Sequence, residues 1–149
     1  MILVDTSLWI DHFRTDVPAL AALLNDGRVT TQPHVIGELS LGLVSHRSVI
    51  LREMQDLPVA VVAEDAEVIE LIEGERLYGR GIGYIDAHLL ASVRLTPEAT
   101  LWTRDQRLHH KSDINREREH YRFRNGDRQH AGTFRDRFRW HWRELGLTA

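Results

Sequence analysis

Short β-branched runs alternate with segments of helical periodicity over the first 105 residues, and this alternation limits the possible folds more than any other feature. Apolar, mostly β-branched runs predict four strands, at residues 2–4, 29–31, 59–62 and 99–103. The third run is typical of a parallel strand buried on both faces. Strands that alternate with helices form right-handed βαβ units. We therefore predict an α/β fold of three layers, in which helices flank a central, mainly parallel sheet.

Apolar residues at helical spacing predict the helices between these strands. The predicted helices cover residues 6–13, 18–26, 34–44, 47–56, 64–78 and 84–95. Thr6 and Ser7 are typical N-capping residues for the first helix. Gly27 is a typical terminator for the second, because glycine adopts a left-handed conformation without strain.

Four carboxylates occupy special places in this pattern. Asp5 and Asp105 directly follow predicted strands, while Glu38 and Asp86 lie in the first turns of predicted helices. Ligand sites of open parallel sheets lie beyond the carboxyl ends of the strands. We therefore expect these four side chains to meet at one edge of the sheet.

Each acid also has a simpler explanation when it is considered alone. Asp5 and Asp105 could cap the helices that follow them, and Asp86 could favour the positive N-terminal end of its helix. Glu38 could be a partly exposed residue at the edge of a helix. The combined placement of all four is what favours a functional site.

A cluster of four carboxylates needs a compensating charge. Two carboxylates about 4 Å apart repel each other by roughly 4 kcal/mol at an effective dielectric constant near 20. Oxygen ligands favour Mg²⁺ or Mn²⁺ over zinc. Such a cation can activate water for attack on a phosphodiester and stabilise the charge that develops on the phosphate. The cluster therefore predicts metal-dependent nuclease chemistry.

Composition excludes several other classes of protein. The chain has no cysteine, which excludes disulfides and thiolate metal sites and is typical of a cytoplasmic protein. No apolar run is long enough to span a membrane, and the first residues resemble a strand rather than a signal peptide.

The glycine-rich residues 79–83 follow a predicted helix, which argues against a dinucleotide loop. The histidines lack the spacing of a zinc site, and His88 is expected to face away from Asp86.

Four short segments resemble the PIN-domain nucleases of the VapC toxin family. They are Ile2-Leu3-Val4-Asp5-Thr6-Ser7, Val35-Ile36-Gly37-Glu38-Leu39, Gly83-Tyr84-Ile85-Asp86-Ala87-His88-Leu89-Leu90-Ala91 and Leu101-Trp102-Thr103-Arg104-Asp105. The resemblance covers about residues 1–110. It implies that Asp5, Glu38, Asp86 and Asp105 form the catalytic acidic quartet, with Asp5 and Asp86 the most direct metal ligands. By the same resemblance, Thr6, Ser7 and Thr103 are supporting hydroxyls.

The resemblance also implies an activity and partners. Similar proteins are Mg²⁺-dependent endoribonucleases that stop translation by cutting tRNA, ribosomal RNA or other RNA. They are usually homodimers, and a cognate VapB-type antitoxin inhibits them. Arg80 and Arg104 are candidate RNA contacts, although Arg80 could equally be a solvated side chain. Trp9, Phe13 and Tyr84 are expected in the core or in a dimer interface.

The C-terminal segment departs from this family. Residues 1–111 hold 10 basic and 16 acidic side chains (net −6), whereas residues 112–149 hold 9 arginines and 6 acids (net +3). We therefore predict a PIN-like nuclease domain at 1–111 and an atypical arginine- and aromatic-rich segment at 112–149. The latter is either an insertion before the final helix or a replacement of the usual end. Its arginines and aromatic rings could bind single-stranded RNA, or a partner protein.

Other functions fit the sequence less well. A phospho-acceptor signalling domain needs a lysine near the last strand, and the only lysine, Lys111, lies beyond Asp105. A dehalogenase-type phosphatase needs a second aspartate at position 7, where the chain has Ser7. A non-catalytic PIN relative that binds RNA or protein, and a housekeeping RNA-processing nuclease without an antitoxin, stay open as alternatives.

Overall fold

The computed structural model describes residues 1–42 and 46–108. The strands are β1 (Ile2–Val4), β2 (Val29–Thr30) and β3 (Thr100–Trp102). The helices are α1 (Thr6–Thr15), α2 (Pro18–Asn25), α3 (Pro33–Leu41), α4 (Arg47–Gln55), α5 (Asp65–Glu75) and α6 (Tyr84–Leu95). The predicted segment 112–149 lies outside the described residues.

The three strands form a parallel sheet with β1 in the centre, in the order β2-β1-β3. Ile2 lies opposite Val29 on one side and Thr100 on the other. Because all three strands run in the same direction, their carboxyl ends lie at one edge of the sheet. The sheet is flanked by helices, which confirms the predicted α/β fold.

The central strand and the helix that follows it hold the centre of the core. Leu3, Val4 and Trp9 have no exposed surface. The ring of Trp9 stacks on Phe13 with 5.6 Å between the ring centroids, so the prediction that Trp9 is a core residue is confirmed. Tyr84 is 46% exposed, so it is not a core residue, and its place in a dimer interface stays a prediction. Because the core sits directly beneath the carboxyl ends of the strands, it fixes where Asp5 stands.

The predicted strand at 59–62 is wrong. Val59 makes an isolated parallel bridge with Thr31, and no strand forms there. Val59, Val61 and Val62 are all exposed, by 38% or more. The bridge lies next to β2 at the outer edge of the sheet, where an apolar run has a neighbour on one side only. The apolar run therefore suggested a strand packed on both faces of the sheet, but three of its four residues are exposed at this edge.

Helix ends differ from the predicted ones by a few residues. Helix α3 starts at Pro33 and ends at Leu41, and α5 covers Asp65–Glu75 instead of 64–78. The structure confirms α6 at Tyr84–Leu95 and the left-handed conformation of Gly27, with φ of 64°. Among the residues that the structure describes, no helix is long and apolar enough to cross a membrane.

Candidate active site

Asp5 leaves the carboxyl end of β1 and occupies the N-cap position of α1. Its side chain makes no capping hydrogen bond to the helix, so the explanation of Asp5 as a simple cap is wrong. Its Oδ2 atom instead accepts hydrogen bonds from the hydroxyls of Ser7 (2.8 Å) and Thr103 (2.9 Å). The backbone places it there, because the Asp5 amide donates to the Trp102 carbonyl of β3 at 3.0 Å. Asp5 is therefore a buried carboxylate that is oriented by two strands.

The donors that hold Asp5 are neutral hydroxyls, so neither of them pairs its carboxylate with a positive charge. Both hydrogen bonds use Oδ2, and no described residue donates to Oδ1. Thr6 and Ser7 were predicted as helix caps, but neither hydroxyl caps α1. Ser7 donates to Asp5, and Thr6 donates to Oε2 of Glu38. Both hydroxyls thus donate to acids, and their role as supporting hydroxyls stays a prediction.

Glu38 reaches the site from helix α3. The side chain is exposed, and the hydroxyl of the buried Thr6 donates a hydrogen bond to it. This bond links the start of α1 to the middle of α3. It fixes one oxygen of Glu38 and leaves the other free to bind a solvent molecule or a ligand.

Asp86 lies in the first turn of α6 and is half-buried. Burial raises the pKa of its carboxyl, and the negative charges of Asp5, Asp105 and Glu38 raise it further. A hydrogen bond from the Gly83 amide to Oδ2, at 2.9 Å, opposes this shift. Asp86 therefore accepts a hydrogen bond at the N-terminus of its helix, in agreement with the simpler explanation. Its pKa also depends on the charges of the other three acids. The structure brings all four predicted carboxylates to one region at the edge of the sheet.

Asp105 follows β3 and is bound quite differently from Asp5. The guanidinium of Arg107 donates several hydrogen bonds to its carboxylate. Nε lies 2.9 Å from Oδ1 and 3.1 Å from Oδ2, and Nη2 also donates to Oδ2. The Arg107 amide donates to Oδ1 as well, at 2.9 Å, so Asp105 caps the helical turn at 106–108. The hydrogen bonds from Arg107 lower the pKa of Asp105.

A single threonine connects the two aspartates that follow strands. Thr103, which is 5% exposed, donates its hydroxyl proton to Asp5 and accepts a hydrogen bond from the Asp105 amide at 3.0 Å. One side chain at the end of β3 therefore orients both acids. This supports its prediction as a supporting hydroxyl.

Sequence reasoning missed Arg107. Its guanidinium passes over Gly81, where an added Cβ would lie 2.6 Å from Nη1. The charges of Asp105 and Asp86 both raise its pKa. The signal was present as an arginine two residues after an acid at a strand end, a spacing that allows the guanidinium to fold back onto the carboxylate. The acidic site therefore contains a cation of its own.

The two arginines predicted to contact RNA have partners within the protein. Arg104 forms an ion pair with Asp11 of α1, and Nε of Arg80 donates to the Arg76 carbonyl at 2.8 Å. Both side chains are exposed. Their contact with RNA stays a prediction.

The histidine in α6 belongs to a packed cluster beside the acids. The ring of His88 lies 4.2 Å from that of His34 and 4.7 Å from that of Tyr84, measured between centroids. Its Nε2 atom is 3.4 Å from a carboxylate oxygen of Asp65. His88 thus pairs with an acid outside the predicted quartet, which agrees with the expectation that it faces away from Asp86.

The donor set fits a cation that takes few protein ligands. Within residues 1–42 and 46–108, there is no group of three or more acidic or histidine side chains that could hold a metal ion. A closed zinc-type cage is thus not formed in the described part of the chain. Mg²⁺ commonly uses one or two carboxylates and completes its shell with water and substrate phosphate. The buried oxygens of Asp5 and the half-buried carboxylate of Asp86 fit this requirement.

Comparison with known proteins matches the same part of the chain. The family model described as the PIN domain matches residues 2–114. The protein named ribonuclease VapC32 in two strains of Mycobacterium tuberculosis is 47% identical to this chain over 108 residues. That alignment covers 72% of this chain and 87% of the relative. Residues 2–114 include all four predicted acids, and residues 115–149 lie outside the matched range.

Proposed function

This chain belongs to the PIN-domain ribonucleases of the VapC toxin family, and we propose that it hydrolyses RNA with a divalent cation held at Asp5 and Asp86. The main support is electrostatic. Burial raises the pKa of Asp86, and the charges of Asp5, Asp105 and Glu38 raise it further. Thr103 also forms hydrogen bonds with both Asp5 and Asp105, and these contacts support one site for the four acids. Carboxylates that repel each other in this way provide the binding energy for a cation.

The donor atoms favour Mg²⁺ or Mn²⁺, because oxygen ligands suit these hard cations. When bound, the cation supplies positive charge for the phosphate and for the attacking water. Asp5 and Asp86 are the proposed ligands, and Glu38 and Asp105 assist them. Ser7 and Thr103 hold Oδ2 of Asp5, which leaves Oδ1 for the cation. Glu38 is exposed and is oriented by Thr6, so it can accept a proton from water that arrives from the solvent.

The biological setting follows from the family. We propose that the protein is the toxin of a toxin–antitoxin pair, that a VapB-type antitoxin inhibits it and that it acts as a homodimer. Cleavage of tRNA, ribosomal RNA or another RNA would place it in the cytoplasm and would inhibit translation. We also propose that residues 1–111 form the nuclease domain, with 112–149 as a separate arginine-rich segment. The match of the PIN family to residues 2–114 supports this division.

The test compares three proteins on a mixed RNA substrate, each with Mg²⁺ and with EDTA. We expect the wild-type protein to cleave RNA only with Mg²⁺. Asp5→Asn should lower the rate by more than about 100-fold, since loss of a residue that only hydrogen-bonds to a metal ligand already costs about 10- to 100-fold. Asp26→Asn is the matched control, because Asp26 is an exposed carboxylate at the end of α2.

The outcomes separate the proposed function from its alternatives. Cleavage that survives EDTA and Asp5→Asn would exclude the metal mechanism. RNA binding without cleavage by the wild-type protein would favour the non-catalytic relative. A loss of activity in Asp26→Asn equal to that in Asp5→Asn would indicate a general effect of charge or folding.

A further inference from the structure

Arg107 is held in a fixed position by Asp105. Nε and Nη2 both donate to the carboxylate, and the Arg107 amide donates to the same group. Side-on contact between a guanidinium and a carboxylate restricts the orientation of both planes. An exposed arginine that served only as a solvated charge would not need this arrangement. The side chain is 57% exposed, so it is fixed and still accessible to a ligand.

Gly81 lies close to the Nη1 end of the guanidinium. A Cβ at Gly81 would lie 2.6 Å from Nη1, closer than two such atoms can approach. Gly81 also has a φ of 73°, a left-handed conformation that side chains disfavour. The loop before α6 therefore leaves room for Nη1 where any other residue would fill it. The same loop leads directly into the helix that carries Asp86.

The fixed guanidinium stands within an acidic site. Its charge interacts with Asp105 and with Asp86, and Asp86 in turn senses Asp5 and Glu38. A phosphodiester that enters this site meets the negative charges of these acids. Binding of a phosphate there requires positive charge in addition to a cation at Asp5 and Asp86. Guanidinium groups are well suited to phosphate, since they donate two parallel hydrogen bonds.

We propose that Arg107 contacts a non-bridging oxygen of the RNA phosphate at the site of cleavage, and that Asp105 and Gly81 position it. This inference rests on the proposed function and assigns Asp105 a different task from Asp5. Asp5 binds the cation, whereas Asp105 acts through Arg107 as a positioning residue. The two acids that end neighbouring strands thus serve the cation and the phosphate respectively.

The first experiment measures RNA cleavage and RNA binding by the Arg107→Ala variant. Arg28→Ala is the matched control, because Arg28 is exposed at the amino end of β2, at the opposite edge of the sheet. Arg107→Ala should lower kcat/KM by about 10²- to 10³-fold, the usual cost of removing one donor to a developing charge. Arg107→Lys should be intermediate, because an ammonium cannot donate a planar pair of hydrogen bonds.

Binding gives a readout that does not depend on cleavage. We would measure the Kd of a single-stranded RNA oligonucleotide by fluorescence anisotropy over a range of KCl concentrations, with Ca²⁺ in place of Mg²⁺. Loss of one phosphate contact should reduce the slope of log Kd against log salt by about 0.7. Arg28→Ala should leave both the slope and the rate unchanged. An Arg107→Ala variant that matches Arg28→Ala in rate and slope would overturn the proposal.

The second experiment tests the two positioning residues. Asp105→Asn and Gly81→Ala should each reduce the rate, and combining Asp105→Asn with Arg107→Ala should add little to either alone. Calorimetric titration with Mn²⁺ then separates the two aspartates. Asp105→Asn should bind Mn²⁺ within about threefold of the wild-type affinity, whereas Asp5→Asn should lose at least tenfold.

A loss of Mn²⁺ affinity in Asp105→Asn as large as that in Asp5→Asn would make Asp105 a metal ligand and overturn its positioning role. A wild-type protein that does not cleave RNA would contradict the proposed function, yet the salt slope of Arg107→Ala would still decide whether this arginine contacts phosphate. Thermal melting of each variant distinguishes a local effect from unfolding.

Discussion

Asp5 and Asp105 follow neighbouring parallel strands and share one threonine, yet they are bound in opposite ways. Asp5 is buried and accepts hydrogen bonds from two hydroxyls, both on Oδ2. Asp105 is partly exposed, and both of its oxygens are covered by Arg107. Position at the end of a strand brought both acids to the site. The groups around them decide what each can do there.

The difference lies in whether the negative charge stays available. Neutral hydroxyls fix the direction of Asp5 and leave its charge for a cation. The guanidinium neutralises Asp105 and lowers its pKa through hydrogen bonds. A cation binds more strongly to Asp5 because the charge of this carboxylate is not neutralised. Arg107 is placed precisely because its guanidinium is paired with Asp105. A set of four acids in one place is therefore not four equivalent ligands.

Among the variants that test this difference between the two aspartates, the largest expected effect comes from breaking the link between them. Thr103→Val removes the hydroxyl that donates to Asp5 and accepts from the Asp105 amide. We expect about a 10- to 100-fold loss of cleavage activity or of Mn²⁺ affinity, the usual result of removing a residue that hydrogen-bonds to a metal ligand. The Asp105 amide loses its hydrogen-bond partner, and Oδ2 of Asp5 keeps only Ser7, which should also cost about 1–3 kcal/mol of folding free energy. Cleavage kinetics, Mn²⁺ titration and urea unfolding measure these effects.

Thr30→Val is the control for this variant. Thr30 is also buried, and its hydroxyl donates to the Pro58 carbonyl at 2.7 Å, away from the acids. We expect a similar loss of stability with unchanged cleavage at a temperature where both variants are folded. Equal losses of activity in the two variants would show that Thr103 acts through stability alone.

A second prediction concerns the repulsion that the acids impose on one another. Asp86→Asn removes one charge from the cluster, while its side-chain oxygen can still accept the hydrogen bond from Gly83. In EDTA we expect the variant to be more stable than the wild-type protein by about 0.5–2 kcal/mol, as is common when a strained functional site is relaxed. Thermal melting measures the difference. Mg²⁺ should stabilise the wild-type protein and have little effect on the variant.

The pH dependence of this difference has a definite sign. Burial and the neighbouring acids raise the pKa of Asp86 in the folded state. Below the ordinary aspartate pKa the group is protonated in both states, so variant and wild type should differ little. As the pH rises through the raised pKa, the folded wild-type protein loses stability and the variant does not. A gap in melting temperature that is constant from acid to neutral pH would contradict this explanation.

The sequence predicts the place of the acids better than their surroundings. Parallel strands end at one edge of a sheet, so an acid directly after β1 and another after β3 must lie near each other. Helix α6 is a long periodic segment, and its bounds were predicted correctly. This part of the site follows from topology. The expected approach of Glu38 and Asp86 to the same edge depends in addition on how helices pack against the sheet, and the family resemblance adds the role of each acid.

The errors arise where one local pattern fits two environments. Residues 59–62 are apolar enough for a central strand, but the fold places them beside the outer strand β2. Tyr84 is aromatic but 46% exposed at the start of α6, so it is not a core residue, and its place in a dimer interface stays a prediction. Arg107 escaped notice since arginines after a strand are usually solvated. Its function depends on Gly81, 26 positions earlier in the chain, and sequence alone does not reveal such a contact.

The smallest expected effect is at the second hydroxyl that holds Asp5. Ser7→Ala removes one neutral hydrogen bond of about 0.5–1.5 kcal/mol and leaves Thr103 on the same oxygen. Cleavage should fall by about 2- to 10-fold, clearly less than in Thr103→Val, and urea unfolding should show a loss of stability of no more than about 0.5–1.5 kcal/mol. Thr15→Ala, at the other end of α1, is the control, because its exposed hydroxyl bonds only to the Asp11 carbonyl. If Ser7→Ala lost as much activity as Thr103→Val, the two hydroxyls would act as one unit. The difference between the two aspartates would then depend on both hydrogen bonds to Oδ2 of Asp5, rather than on the Thr103 hydroxyl alone.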